Sequence, residues 1–161
     1  MIWFTADTHF YHTNILKYCK RPFKNVNDMN HTIIVNWNNK VEEGDTVFHL
    51  GDFSFGHFKE LKKQLNGNII LIKGNHDHNN QSIIKDMIIE HGGRYWHLVH
   101  NPEDCEGEHC LCGHIHEKWK IKKDKNKLMV NVGVDQWNYK PISIKDINKE
   151  IKIICYKKHQ N

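Results

Sequence analysis

Five short groups of polar residues in this chain carry side chains that bind metal ions. Each group follows a short apolar run, and runs of that length are typical of buried strands. In open α/β sheets, ligand sites form where the carboxyl ends of the strands meet. The groups would therefore bring two carboxylates, one amide and four imidazoles together, enough to hold two metal ions. They are Asp7-Thr8-His9, Gly51-Asp52, Gly74-Asn75-His76-Asp77, His100 and Gly113-His114-Ile115-His116.

The spacing within these groups suits metal binding. Asp7 and His9 are two positions apart, and on extended backbone such side chains point the same way. His114 and His116 share this spacing. Asp52 follows a glycine that permits a tight turn, and its two carboxylate oxygens could bridge two ions. Mixed nitrogen and oxygen ligands favour zinc, manganese or iron over calcium, which prefers oxygen alone.

Two such ions indicate a particular chemistry. Ions held roughly 3.5–4 Å apart polarise a phosphoryl group and lower the pKa of the water between them. A hydroxide that bridges the metals can then attack phosphorus in line with the leaving group. The sequence therefore predicts a hydrolase with two divalent transition-metal ions, which are manganese, iron or zinc. Its expected partner is a small phosphoester or nucleotide.

The same motifs, in the same order, resemble those of the calcineurin-like metallophosphoesterases. The resemblance runs from residue 7 to residue 116, and it implies an α/β fold. That fold is a four-layer sandwich of two mixed β-sheets flanked by helices. Further stretches resemble a small bacterial and phage branch of the family. These are Asp7-Thr8-His9-Phe10, Asn14-Ile15, Tyr18-Cys19-Lys20-Arg21-Pro22-Phe23 and Asn131-Val132-Gly133-Val134-Asp135.

The resemblance also implies a role for each polar side chain. His76 would bind no metal; it would contact the phosphate and protonate the leaving oxygen. His76 and the bridging Asp52 are therefore the expected catalytic residues. The resemblance assigns the first ion to Asp7, His9, Asp52 and His116, and the second to Asp52, Asn75, His100 and His114.

One departure from the family narrows the reaction. The phosphoprotein-phosphatase branch continues Gly-Asp-x-x-Asp-Arg-Gly, whereas residues 51–57 read Gly-Asp-Phe-Ser-Phe-Gly-His. The acid and the arginine of that branch are absent from this motif, which favours a phosphodiesterase, with monoesters as further substrates. The chain is also too short for a large cap domain, so local loops would select the substrate. Asp77 either tunes His76 or caps a following helix.

Two other functions remain open at this point. A nuclease or RNA-end-processing enzyme would bind a nucleic-acid backbone through a lysine-rich segment. Trp119 lies in that segment, and a base could stack on its ring. A solvated hairpin is the favoured interpretation of that segment. A non-catalytic metal-binding scaffold is disfavoured, because such proteins usually lose the catalytic histidine or several ligands. The lysines are Lys118, Lys120, Lys122, Lys123, Lys125 and Lys127.

Several polar residues outside the motifs need an interpretation. Arg21 is a candidate phosphate contact, because guanidinium matches phosphate geometry, and its alternative is a salt bridge that holds the loop. His12 is a second candidate substrate contact, since it lies beside the proposed ligands. His100 is preferred to His97 as a ligand because it ends its strand. His49, inside a strand, is expected to be buried and hydrogen-bonded.

Length, composition and charge indicate the class of protein to which these residues belong. The chain has 161 residues, 39% of them hydrophobic and 26% charged, which predicts a single globular domain over residues 1–161. A formal net charge of +4 only weakly suggests anionic ligands. We expect no signal peptide and no membrane association. Five cysteines, an odd set, are most simply placed in a reducing cytoplasm.

Strands and helices alternate along the chain, and this alternation predicts the α/β class. The polar groups lie where predicted strands end. Predicted strands cover residues 2–6, 46–50, 68–73, 95–99, 109–112, 127–132 and 151–156, with a charged hairpin at 118–127. Predicted helices cover residues 15–20, 27–39 after an Asn27 cap, 57–65, 81–91 and 143–149 after a Ser143 cap.

Overall fold

The computed structural model describes residues 1–78 and 81–158, and the first part of the chain forms a parallel sheet. The strand order is β1-β2-β3, so Phe4 pairs with Phe48 and Phe48 pairs with Ile70. The helices lie in the connections between the strands, as parallel strands require. The elements are β1 (Ile2–Thr5), α1 (Ile15–Tyr18), α2 (Val26–Asn38), β2 (Thr46–Leu50), α3 (Phe58–Lys62) and β3 (Asn68–Ile72).

The second sheet is mixed and has five strands. Its order is β4-β5-β6-β8-β7, with parallel pairing at its centre and an antiparallel pair at each edge. A final helix follows the sheet. The predicted class of two sheets flanked by helices is confirmed, and only the second sheet is mixed. The elements are β4 (Asp86–His91), β5 (Arg94–Val99), β6 (His109–Cys112), β7 (Ile121–Asp124), β8 (Lys127–Asn131) and α4 (Ile144–Lys158).

The side-chain alternation of the strands divides the core between two layers. Phe4 of β1 packs in a cluster that contains Trp96 and Leu111 of the second sheet. Trp3, its neighbour, belongs to a separate cluster with Trp37 of α2. Burying a large apolar side chain contributes about 1.5–3 kcal/mol, so these two clusters hold the strand ends in fixed positions.

Residues 81–91, predicted as a helix, instead lead into and form β4. Met87 and Ile89 alternate with exposed residues and pack against the core between the sheets. Gly92 and Gly93 both have positive φ and join β4 to β5 as a hairpin. Two glycines between apolar runs are a hairpin signal, and pairing with β5 overrides the helical spacing.

The predicted strand at residues 151–156 was also wrong, because α4 continues through it. The Ser143 cap is confirmed: its Oγ accepts from the Asp146 N–H at 3.2 Å, and Asp146 Oδ2 accepts from the Ser143 N–H at 2.9 Å. Ile144, Ile147 and Ile151 recur at helical spacing against the core.

The part of the chain that the structure describes has no helix long and apolar enough to cross a bilayer. Helix α2 is capped by Asn25, two residues before the predicted Asn27.

The cysteines are partly paired. A disulfide links Cys105 to Cys110, a pairing that the odd number of cysteines did not indicate. Cys112 is free and buried, and it packs beside Cys110 and Met129 as a small apolar residue. Burial raises the pKa of the Cys112 thiol, so it stays protonated.

Candidate metal centre

The loops that follow β1 and β2 run side by side and hold their polar residues in place. The Asp7 N–H donates to the Gly51 carbonyl, and the His9 N–H donates to the Asp52 carbonyl, both at 3.0 Å. Asp7, His9 and Asp52 all have left-handed backbone, with φ of 56°, 49° and 56°. Such conformations cost energy in residues other than glycine and cluster at functional sites. His114 and His116 share the left-handed conformation, at 71° and 46°.

Three ligand atoms converge at one side of the site. Asn75 Oδ1 lies 2.9 Å from His100 Nε2 and 3.0 Å from His114 Nδ1, and the two imidazole nitrogens are 3.3 Å apart. Ligand atoms that each lie 2.0–2.2 Å from one ion are about 3 Å from one another. The spacing of this triangle therefore fits a single shared cation.

The tautomer of His100 supports this interpretation. Its Nδ1 lies 2.7 Å from the Leu50 carbonyl oxygen. A carbonyl can only accept, so Nδ1 carries the proton in the neutral ring. Nε2 is then an unprotonated lone pair that faces the Asn75 oxygen, another acceptor. Two acceptors in contact repel each other unless a cation or a proton lies between them.

A second group of ligand atoms adjoins the first. One ligand atom from each of Asp7, His9 and His116 lies within 4.8 Å of the others, and Asp7, Asp52 and His100 form an overlapping group. His9 Nε2 is buried and has no hydrogen-bond partner among the residues that the structure describes. A buried polar atom without a partner needs an explanation, and a metal ion that it coordinates is one.

Asp52 lies between the two groups, and its two carboxylate oxygens have different neighbours. Oδ1 accepts from the His76 N–H at 2.9 Å, which fixes the carboxylate. Oδ2 lies 3.4 Å from His9 Nε2 and 3.5 Å from His100 Nε2. One oxygen therefore faces the ligand atoms of both groups, as a bridging ligand must.

Burying the charged carboxylates of this cluster costs free energy unless a cation lies beside them. Burial raises the pKa of Asp7, His100 and His116 lower it, and the nearby Asp52 carboxylate raises it, with a net pKa of about 6. Burial lowers the pKa of His9, and the charge of Arg21 adds to that effect. His9 therefore stays neutral, and neutral imidazole is the form that binds metals.

His116 has a buried carboxylate partner that the sequence did not reveal. Its Nδ1 lies 3.0 Å from Asp135 Oδ2, which leaves Nε2 for the site. Burial lowers the pKa of His116, but the bonds to Asp135 and Cys19 outweigh burial and raise it to about 10. In the metal-free protein the ring is therefore protonated at neutral pH, and an ion bound at Nε2 would displace the proton from that nitrogen. Asp135 belongs to the Asn-Val-Gly-Val-Asp stretch noted above, and that stretch was the only signal. Asn131, from the same stretch, donates to the His116 carbonyl at 2.7 Å.

The structure does not support Arg21 as a phosphate contact. Its guanidinium is buried and makes a bidentate salt bridge with Asp135, at 2.8 Å for both Nε and Nη2. It also donates to the backbone carbonyls of Asp7 and Thr8, at 2.6 and 3.0 Å. Its donors are used inside the fold, so the alternative interpretation, a salt bridge that holds the loop, is the one that fits.

His76 lies at the open side of the cluster. Its side chain is 47% exposed, and Nε2 lies 4.0 Å from Asp52 Oδ2. Asp77 beside it accepts from the N–H groups of Asp52, Phe53 and Gly74 at 2.7–2.9 Å. Asp77 therefore joins two ligand loops, in place of the helix cap predicted as one of its roles.

Three further histidines that the sequence analysis considered lie in different surroundings. His12 lies beside the cluster, with its Nδ1 3.2 Å from His9 Nδ1. His49 is buried and bonds to the Thr8 hydroxyl at 2.9 Å, which confirms its expected structural position. His97, the competitor of His100, is grouped with Cys105 and Cys110 and accepts from the Glu106 N–H.

The lysine-rich segment forms the predicted charged hairpin. Lys120 Nζ lies 3.5 Å from Glu150 Oε1 and 4.3 Å from the Trp137 ring centre. Trp119 packs against the buried cysteine cluster. These contacts favour the solvated hairpin over a nucleic-acid surface.

Comparisons with known proteins agree with this geometry. The calcineurin-like phosphoesterase superfamily domain matches residues 1–142. The chain is 40% identical over 164 residues to an uncharacterized protein of Methanocaldococcus jannaschii, covering 94% of this chain and 91% of that protein. A crystal structure of a protein of unknown function from Aquifex aeolicus is 30% identical, with a TM-score of 0.73 over 92% of this chain and 98% of that one.

A zinc complex of Vps29 from Entamoeba histolytica shares the fold alone. It is 17% identical, with a TM-score of 0.51 over 82% of this chain and 73% of that chain. The family match covers most of the chain, including every motif described above. The chain therefore belongs to the calcineurin-like phosphoesterase superfamily.

Proposed function

We propose that this protein is a dinuclear metal-dependent phosphodiesterase. The observation that carries the proposal is the Asp52 carboxylate, one oxygen of which faces both groups of ligand atoms. The first ion would be held by Asp7, His9, Asp52 and His116, and the second by Asp52, Asn75, His100 and His114. When bound, the two ions would polarise the phosphoryl group and supply a nucleophile from water at neutral pH.

The side chains around the cluster define the remaining steps. His76 is exposed beside Asp52, so it can reach a phosphate that lies over the centre. It would donate to a phosphoryl oxygen and then protonate the leaving oxygen, as a general acid does. The Asp52 bond to the His76 backbone N–H holds this histidine in place relative to the metal ligands.

The test compares three variants of the manganese-loaded protein on a panel of phosphodiesters. We expect Asp52→Asn to lower kcat/KM by at least about 100-fold, and His76→Ala by about 10²–10⁴-fold, with its metal content unchanged. His78→Ala is the matched control, because His78 lies in the same loop, is exposed and has no assigned role.

Two results would contradict the proposal. Wild-type turnover that survives in both purified Asp52→Asn and His76→Ala would exclude this mechanism. Metal-loaded wild-type protein that is inert toward every phosphoester would instead favour the non-catalytic scaffold.

A further inference from the structure

We infer that Phe55, stacked on His12, is a platform for a nucleobase, so that the site selects nucleotide-type phosphoesters over those without a base. This inference rests on the proposed function, because it assigns the substrate class of the same site. It concerns the side of the site next to His76, where the leaving group would lie.

Backbone hydrogen bonds hold Phe55 in place. The Phe10 N–H donates to the Phe53 carbonyl, and the Phe55 N–H donates back to the Phe10 carbonyl at 2.9 Å. Phe10 and Ser54 form a β-bridge between the two ligand loops. The backbone of Phe55 is thus fixed by the same pairing that positions the metal ligands.

The ring of Phe55 is exposed to solvent. Phe55 is 45% exposed, although Phe10 and Phe53 beside it are fully buried. An apolar ring that the fold leaves in water next to a polar centre is a common feature of ligand sites. One neighbour already stacks on it: the His12 ring centre lies 3.9 Å away, with an angle of 20° between the planes.

The Phe55 ring lies close to the catalytic side of the site. The Phe55 ring centre lies 5.3 Å from that of His76 and 5.7 Å from that of His9. Tyr18, 69% exposed, extends the aromatic rim beyond His12, with ring centres 6.2 Å apart. A leaving group protonated by His76 would therefore lie among aromatic rings, and a flat base is the natural group to stack there.

The catalytic test uses two substrates that differ only in their bases. One is a dithymidine phosphodiester, and the other is the same diester with a tetrahydrofuran in place of each nucleoside. We expect Phe55→Ala and Phe55→Leu to lower the ratio of their kcat/KM values by about 5- to 100-fold, the range of one base stacked on an aromatic ring. Phe55→Tyr keeps a ring and should retain the ratio within about twofold.

A control and a binding measurement complete the test. Tyr95→Ala removes a ring on β5 that is more exposed than Phe55, at 72%, and should leave the ratio unchanged. Calorimetry with the manganese-loaded protein compares thymidine 5′-monophosphate with deoxyribose 5-phosphate, and Phe55→Ala should lower that ratio of affinities by a similar factor.

The outcomes separate the two proposals. A protein that hydrolyses neither of these diesters nor any phosphoester of the panel contradicts the phosphodiesterase, and the ratio of affinities still decides the platform. If Phe55→Ala leaves both ratios within twofold of wild type, the platform is excluded. Equal losses on both substrates would show that the ring only supports His12 and His76, which also excludes it.

Discussion

At the residue scale, the strongest sign of a metal centre is contact between acceptors. His100 Nε2 and Asn75 Oδ1 lie 2.9 Å apart, although in the neutral ring the Leu50 carbonyl keeps the proton on the other nitrogen, Nδ1. That these side chains lie together could be predicted from sequence, because each belongs to a type that can bind a metal and follows the end of a predicted strand. Asp135 could not be assigned, because its bond to Arg21 joins residues 114 positions apart.

Asp135 gives a prediction at this scale. Carboxylate partners of metal-binding histidines orient the ring, and their loss typically lowers metal affinity by about 10- to 100-fold. We expect Asp135→Asn to weaken manganese binding by that factor, because Asn is neutral and pairs poorly with both His116 and Arg21. Manganese titration followed by electron paramagnetic resonance measures the affinity. Asp124→Asn, in the exposed hairpin, is the control, and equal affinities in the two variants would refute the role of Asp135.

At the element scale, the strand ends explain why the ligands meet. The loops after β1 and β2 are joined by backbone hydrogen bonds, and the loop after β6 adds the His114 N–H bonds to the Asp7 carboxylate at 2.9–3.0 Å. The sequence predicted these strands because each is a short apolar run before a polar group. It failed at β4 and in the second half of α4, where the same residues fit either period and tertiary packing decides.

Gly113 tests this account of the elements. A Cβ at Gly113 would lie 2.6 Å from Ala6 Cβ and 2.8 Å from Asp7 Oδ2. Gly113→Ala should therefore push the loop after β6 from Asp7, lowering stability by about 1–3 kcal/mol and weakening manganese binding. A Cβ at Gly44 would meet nothing within 4 Å, so Gly44→Ala should stay within about 0.5 kcal/mol in urea unfolding. Equal unfolding midpoints for the two variants would contradict the close approach.

At the scale of the whole molecule, a buried histidine links stability to pH. The Thr8 hydroxyl donates to the Phe53 carbonyl, so His49 Nε2 must donate to Thr8. Within the described part of the chain, His49 Nδ1 has no hydrogen-bond partner. Burial lowers the pKa of His49 to about 3, against about 6.5 in the unfolded chain. Between these values the unfolded state binds more protons, so stability falls as pH falls from 6.5 toward 3.

The variant His49→Gln keeps a donor and removes this titration. In metal-free protein, the free energy of unfolding of wild type should fall more steeply between pH 6.5 and pH 4 than that of His49→Gln, by about 1–3 kcal/mol. Urea unfolding at a series of pH values measures the difference. Parallel curves for the two proteins would show that His49 titrates normally in the fold.

The most direct measurement is anomalous diffraction from crystals soaked in manganese. We expect two peaks roughly 3.5–4 Å apart, on either side of Asp52. One should lie among Asp7, His9 and His116, and the other among Asn75, His100 and His114. No peak at these side chains, or a single peak with Asp52 binding only one ion, would contradict the paired-metal centre.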